Sequence, residues 1–261
     1  MRKDGRLTQI LQCVADRGEV SVSALVQTLD ASPATIRRDL NELAEQQLIL
    51  RTRGGARSAD VAYDLPFKYK TARKAAEKQR IAAYAASLVR PGEVVGINGG
   101  TTTSLVAEHL ATREDLQGLK DGERPVVVTN ALNIANLLTV RSHVRIIASG
   151  GTARSLSYEL IGPLAVHTFE QVKLDTAILG VNAVHSEYGA MAHHEGEAEI
   201  SSLMARAARR VVVIADSSKL ATSALARFIC PEAIDVLITN TGAAQGTYSH
   251  FREAGIEVHT V

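Results

Sequence analysis

The stretch Gly96-Ile97-Asn98-Gly99-Gly100-Thr101-Thr102-Thr103-Ser104 joins the end of a short apolar run to the start of a helical pattern. Small residues there let backbone N–H groups approach an anion, threonine hydroxyls add donors, and a helix N-terminus beginning near Ser104 favours negative charge. The chemistry this points to is phosphate recognition. The stretch has neither the Gly-x-Gly-x-x-Gly of a dinucleotide site nor the Gly-Lys-Ser/Thr of a nucleoside-triphosphate loop. Further along, Asn130, Gly150-Gly151, Asn182 and the run Asp216 to Lys219 each follow another apolar run, and Lys219 can supply a compensating cation.

The elements that must position these groups follow from periodicity. Apolar runs at 94–97, 126–129, 144–148, 177–180, 211–215, 236–239 and 256–261 read as strands. Helical patterns fit at 76–89, 104–110, 131–139, 162–171 and 197–209. Such alternation predicts an α/β fold with a mainly parallel sheet covered on both faces, and these sheets bind ligands at the carboxyl ends of their strands.

The first part of the chain reads differently. Leu7, Ile10, Leu11 and Val14 make an amphipathic stripe ended by Gly18, and Leu25, Val26 and Leu29 mark a second helix. A third opens with Ser32 as N-cap and Pro33 at its first position, with Ile36, Leu40 and Leu43 as the buried stripe. Thr35, Arg37, Arg38 and Asn41 then face outward on its first turns, where a recognition helix reads base edges. The alternating Leu48 to Arg57, broken at Gly54-Gly55, reads as a hairpin wing whose Arg51, Arg53 and Arg57 suit phosphates. Charge agrees: Lys and Arg outnumber Asp and Glu by 15 to 10 up to residue 81, and are outnumbered 14 to 18 beyond it.

Ser32 to Leu43 (SPATIRRDLNEL) and Arg51 to Ala56 (RTRGGA) resemble the signature of the DeoR family of bacterial transcriptional regulators. The resemblance implies a winged helix-turn-helix in which Ser32, Thr35, Arg37 and Arg38 face DNA and Asp39 serves helix packing or orients an arginine. It extends over nearly the whole chain. The second part is similar to sensor domains of the ribose-phosphate isomerase and coenzyme A transferase fold through Thr129-Asn130, Gly150-Gly151, Asp175, Gly180, Glu197-Ala198 and Ser217-Ser218-Lys219. Asn98-Gly99-Gly100-Thr101-Thr102 stands where relatives carry Asp-Ser-Gly-Thr-Thr, so a carboxylate and a hydroxyl are replaced, and Thr239-Asn240 stands for Thr-Asp. By resemblance, the loop from Asn98 through Thr103 and Lys219 hold a phosphate, while Asn130, Asn182 and Glu197 lie nearer the rest of the effector. A homodimer or homotetramer on double-stranded operator DNA is implied likewise.

Two other chemistries compete. Asp175, Glu195, Glu197 and Asp216 are the residue types a sugar-phosphate isomerase needs, but Asn98 in place of a carboxylate favours a binding-only sensor. His193, His194, Glu195 and Glu197 lack the His-x3-His or His-Glu-x-x-His spacing of a metal site and read as a ligand-lining or solvent-facing loop. No catalytic residue, metal or cofactor is expected. The domains expected are a winged helix at 1–57, a linker at 58–75 containing Phe67 and Tyr69, and a sensor at 76–261. Lys68, Lys70, Arg73, Lys74, Lys78 and Arg80 form a basic cluster that brushes DNA, docks on the acidic body or is simply solvated. Cys13 and Cys230 are expected as buried thiols. With no apolar run near the roughly 18 residues of a membrane span, a soluble cytoplasmic protein is expected.

Overall fold

The computed structural model describes residues 3–46, 48–58 and 74–261. It forms two compact units, one ending at Arg73 and the other beginning at Lys74. Most of the expected linker, with Phe67, Tyr69, Lys68, Lys70 and Arg73, lies outside the described residues.

In the first unit, α1 (Lys3–Arg17), α2 (Val22–Leu29) and α3 (Pro33–Glu45) pack beside a three-stranded antiparallel sheet of order β1-β3-β2, with β1 at Glu19–Ser21, β2 at Ile49–Thr52 and β3 at Gly55–Ser58. Local chemistry sets the helix starts. Ser21 Oγ accepts from the Ala24 N–H and Ser32 Oγ from the Thr35 N–H, each at 3.1 Å, satisfying donors the helices leave orphaned. The helical stripes meet Val20, Ile49 and Ala56 in one apolar core.

Gly55 is where the wing closes on β1. It pairs with Ser21, and a Cβ there would lie 2.0 Å from the Val20 carbonyl oxygen. Gly55→Ala is therefore expected to prise β3 from β1 and to cost about 1–3 kcal/mol, as overpacking does. Chemical denaturation of the winged-helix unit checks this. Unchanged stability would show that β3 shifts freely.

The second unit is built on a seven-stranded, wholly parallel sheet of order β15-β14-β12-β9-β4-β5-β6. Its strands are β4 (Val94–Ile97), β5 (Val126–Thr129), β6 (Arg145–Ala148), β9 (Leu174–Gly180), β12 (Ala208–Ile214), β14 (Val236–Thr239) and β15 (Glu257–Thr260). Alternation sorts their side chains: Val95, Ile97, Ile178, Val212 and Ile214 pack under α4 (Ala75–Ser87), α5 (Thr101–Thr112) and α6 (Leu132–Thr139). Ala177, Leu179, Val211 and Val213 share the opposite core with Phe169 of α7 (Pro163–Gln171), Ile200 and Met204 of α8 (Glu195–Ala207) and Phe251 of α9 (Thr247–Glu253). Both faces are thus covered, as βαβ crossovers require.

Several expectations change. Helix α5 begins at Thr101, not Ser104, because Thr103 Oγ1 and Ser104 Oγ both donate to the Gly100 carbonyl, at 3.0 and 2.7 Å, and bring the threonines into the first turn. The sequence reading also missed α9, a hairpin of β7 (Thr152–Ala153) and β8 (Leu160–Ile161), and a second antiparallel sheet. That sheet joins β10 (Ala183–His185), β11 (Gly189–Ala192) and β13 (Ala226–Ile229), whose strands are too short and alanine-rich to show a period. Cys13 is only partly buried and Cys230 is exposed beside Pro231, so neither is a buried thiol. Among the described residues, no helix is long and apolar enough to cross a membrane.

Candidate functional site

On α3 the outward residues are displayed as the helical stripe requires. Arg37, Arg38 and Asn41 are exposed, Thr35 partly so, and among the described residues neither arginine is drawn into an ion pair. Ser32 is exposed, but its hydroxyl caps the helix and lies 2.8 Å from Thr35 Oγ1. On the wing, Arg53 is exposed at the β2–β3 turn, whereas Arg51 donates to the Gly55 carbonyl at 2.7 Å and braces that turn. Behind the exposed face, Asp39 is buried and accepts two hydrogen bonds from Arg6 of α1, from Nε at 2.5 Å and Nη2 at 3.2 Å. This pairing raises the Arg6 pKa further above its ordinary value, chiefly through the hydrogen bond to Asp39. Asp39 ties the recognition helix to α1.

At the carboxyl ends of the parallel strands, the loop after β4 is held from three sides. Asn98 Nδ2 donates to the Gly180 carbonyl at 2.9 Å and to Ser201 Oγ at 3.0 Å, while its Oδ1 accepts from the Gly180 N–H at 2.8 Å. Both ends of this amide are occupied, so Asn98 clamps β4 to β9 and to α8. Gly100 sits at φ +147°, a conformation that favours glycine, and caps α5. The first-turn N–H groups of Thr101, Thr102 and Thr103 then stand at a helix end that favours anions. Across the loop, Glu159 Oε2 accepts from Asn130 Nδ2 at 2.9 Å, and Asn133 Nδ2 donates to Ser104 Oγ at 2.7 Å.

The other expected residues have differing attachments. Lys219 Nζ donates to the Val181 carbonyl at 2.5 Å, one residue past β9. Glu197 is buried and pairs with Arg154 Nε at 2.9 Å. Asn182 Oδ1 holds the His193 N–H at 3.0 Å, and Gly150-Gly151 pack closely on Leu164, Ile161 and Ala165. His194 caps α8 through Nδ1, and among the described residues no group of three or more His, Cys, Asp and Glu could hold a metal ion. Asp175 lies at the other end of the sheet, where Oδ2 accepts from the Val94 N–H at 3.0 Å at the start of β4.

Sequence reasoning missed the parts that Lys78, Arg154 and Glu159 play. Lys78, expected in a surface cluster, is buried on α4. Its charge acts on Asp216: burial pushes that carboxyl up, but Lys219, hydrogen bonds from Ser218 and then Lys78 outweigh it and hold the pKa below the ordinary value. Arg154 and Glu159 were also missed, since both lie in a loop of no period. A further feature is a set of buried oxygens, two of them on the expected residues Thr102 and Asn130. Among the described residues, Thr102 Oγ1, Asn130 Oδ1, Asn133 Oδ1, Ser149 Oγ and Thr239 Oγ1 are buried without a hydrogen-bond partner; Thr102 and Asn133 stand in the first turns of α5 and α6, Thr239 ends β14, and Asn130 and Ser149 directly follow β5 and β6. Each orphaned buried polar atom costs about 1–3 kcal/mol, and all five lie toward the carboxyl ends of the parallel strands.

Two family models match the chain: the DeoR-like helix-turn-helix domain over residues 6–62 and the DeoR C-terminal sensor domain over residues 73–241. The chain belongs to the DeoR family. It is similar to the glycerol-3-phosphate regulon repressor of Escherichia coli (strain K12), 34% identical over 240 residues and covering 92% of each chain. It is also similar to the transcriptional repressor GlcR of Bacillus subtilis (strain 168), 28% identical over 99% of this chain and 96% of that one. A ribose 5-phosphate isomerase A from Methanocaldococcus jannaschii aligns with TM-score 0.40 and 18% identity over 54% of this chain and 52% of that chain. This DeoR-family chain is thus a DNA-binding transcriptional regulator with a sensor unit of α/β architecture.

Proposed function

We propose that this regulator represses a carbohydrate-catabolism operon, and that a phosphorylated sugar or sugar-derived effector releases it from double-stranded operator DNA. The observation that carries this reading is the glycine-threonine loop that opens α5 at the carboxyl end of β4, with the partnerless buried oxygens of Thr102, Asn130 and Asn133 beside it. In this reading Ser32, Thr35, Arg37, Arg38, Asn41, Arg51 and Arg53 face DNA. Gly100 to Thr103 and Lys219 take the phosphate, with Asn98 and Gly99 shaping the loop. Asn130, Gly150, Gly151, Asn182 and Glu197 surround the remainder. The 1–57 unit reads DNA, 58–75 joins it to the sensor at 76–261, and a homodimer or homotetramer spans the operator repeat.

The carboxylates support a sensor over an isomerase. Asp175 caps a strand start at the other end of the sheet, Glu197 is engaged by Arg154, and the Asp216 pKa is held below its ordinary value, which makes it a weaker base. Lys219→Ala is expected to remove most of the rise in melting temperature that a phosphorylated sugar produces, while leaving ligand-free DNA binding intact. Differential scanning fluorimetry against a panel of sugar phosphates reads this. An undiminished shift in the variant would remove Lys219 from the site.

A further inference from the structure

Helix α4 opens the sensor unit, and its inner face carries one charge. The unit begins at Lys74, the N-cap of α4, so the chain that joins the two units enters the sensor through the first turn of this helix. Lys78, Ile81, Ala82 and Ala85 recur at helical spacing, and all four are buried. The three apolar residues share a core with Ile214 of β12 and with Val236 and Ile238 of β14, while Lys78 lies one turn nearer the linker at 3% exposed. A lysine is held that far from water only where its charge is compensated.

The compensating carboxylate stands at the strand ends. Asp216, also 3% exposed, follows β12 by two residues, and its Oδ1 accepts from the Ser218 N–H at 3.1 Å to start the turn that ends in Lys219. Asn240, just past β14, fixes the same turn: Oδ1 accepts from the Ser217 N–H at 2.8 Å, and Nδ2 donates to Ser217 Oγ at 3.1 Å. Burial pushes the Asp216 carboxyl up, and Lys219, the Ser218 hydrogen bonds and Lys78 together hold it below its ordinary value. One carboxylate therefore serves two lysines, one on the strand-end turn and one on the helix that leads to the linker. Charges this far from water are little screened by salt, so what engages one lysine is felt by the other.

Resting on the effector reading above, we propose that Lys78 couples the strand-end site to the winged helix: an anion taken up by Lys219 leaves more of Asp216 to Lys78 and draws the first turns of α4, and the linker with them, toward the strand ends. Lys78 acts through Asp216, so it sets the coupling between the two ligands. Such coupling is reciprocal. The effector weakens DNA binding by the same factor by which DNA weakens effector binding.

The test measures that factor on the full chain. Thermal melting first picks, from glycerol 3-phosphate, ribose 5-phosphate and glucose 6-phosphate, the ester that stabilises wild type most. Calorimetric titration then gives its Kd with and without a duplex selected for this protein from random DNA. For wild type, the duplex is expected to weaken ester binding at least about tenfold, within the ordinary range of allosteric coupling. That ratio is expected to fall to about one in Lys78→Met, which keeps the length and loses the charge, and in Asp216→Asn, which keeps an acceptor for the Ser218 N–H. Melting of each variant, and its retention on the duplex without ester, confirm that it is folded and competent for DNA; should Lys78→Met fail to fold, Asp216→Asn decides alone. A wild-type ratio in either folded variant overturns the proposal and leaves the effector reading standing. A wild type that no ester stabilises, or whose ratio is already about one, overturns the effector reading and this proposal with it.

Discussion

Asp39→Ala is expected to lower the melting temperature of the winged-helix unit markedly while the sensor unit melts as in wild type. Asp39 is 2% exposed, and it accepts both hydrogen bonds that join α3 to Arg6 of α1. Removing one partner of a fully buried pair costs about 3–5 kcal/mol, but Arg6 is partly exposed and keeps access to water, so about 1–3 kcal/mol is expected here. A unit of this size has only on the order of 3–8 kcal/mol to lose, at roughly 0.05–0.15 kcal/mol per residue. Calorimetry of the full chain should show the winged-helix transition moved to lower temperature, and DNA retention should weaken with it. Asp39→Asn, which keeps one acceptor, should fall between the two. Wild-type melting of Asp39→Ala would mean that Arg6 finds water at little cost.

Arg37→Ala combined with Arg38→Ala is expected to abolish DNA retention by a different route. Both residues are exposed on the first turns of α3 and engage no partner among the described residues, so the unit should melt within about 0.5 kcal/mol of wild type. An arginine bidentate to guanine is worth about 1–3 kcal/mol, and loss of two should weaken specific binding about 30-fold to 10,000-fold. Gel retardation at several salt concentrations separates the roles. An arginine on a base edge relaxes sequence preference, while one on a phosphate lowers the salt slope by about one. A large loss of stability with unchanged affinity would place these arginines in the fold instead.

What was legible in the sequence was local. Ser32-Pro33 announces the start of α3 because cap and first-turn chemistry act within three residues, and the stripe of Ile36, Leu40 and Leu43 then determines which face is exposed. Strands β4, β5 and β14 were readable to the residue because each is a short apolar run in a sheet buried on both faces. The illegible parts depend on residues far apart in the chain. Nothing near Gly55 says that Val20 lies against it, nothing near Asp39 names Arg6, and nothing near Lys78 says that Asp216 shares its burial. At the candidate site, glycines and threonines after a strand were visible, but the seat of Glu159 over Gly99 rests on strand pairing between two loops without periodic pattern. Asn98 shows a third case. Its replacement of the relatives' Asp looked like a change in ligand contact, whereas the structure spends both ends of its amide on Gly180 and Ser201.

The central claim is that occupancy of the strand-end site governs release of the winged helix. A ligand must favour the released state by about 5.5 kcal/mol to move the protein from nearly all bound to nearly all free. The most direct measurement selects a duplex for this protein from random DNA and then follows its retention while a polyol phosphate that raises the melting temperature is titrated. The account predicts release of wild type at concentrations that saturate the thermal shift, and continued retention of Lys219→Ala at those concentrations. Retention of wild type throughout, with the sensor site saturated, would contradict it.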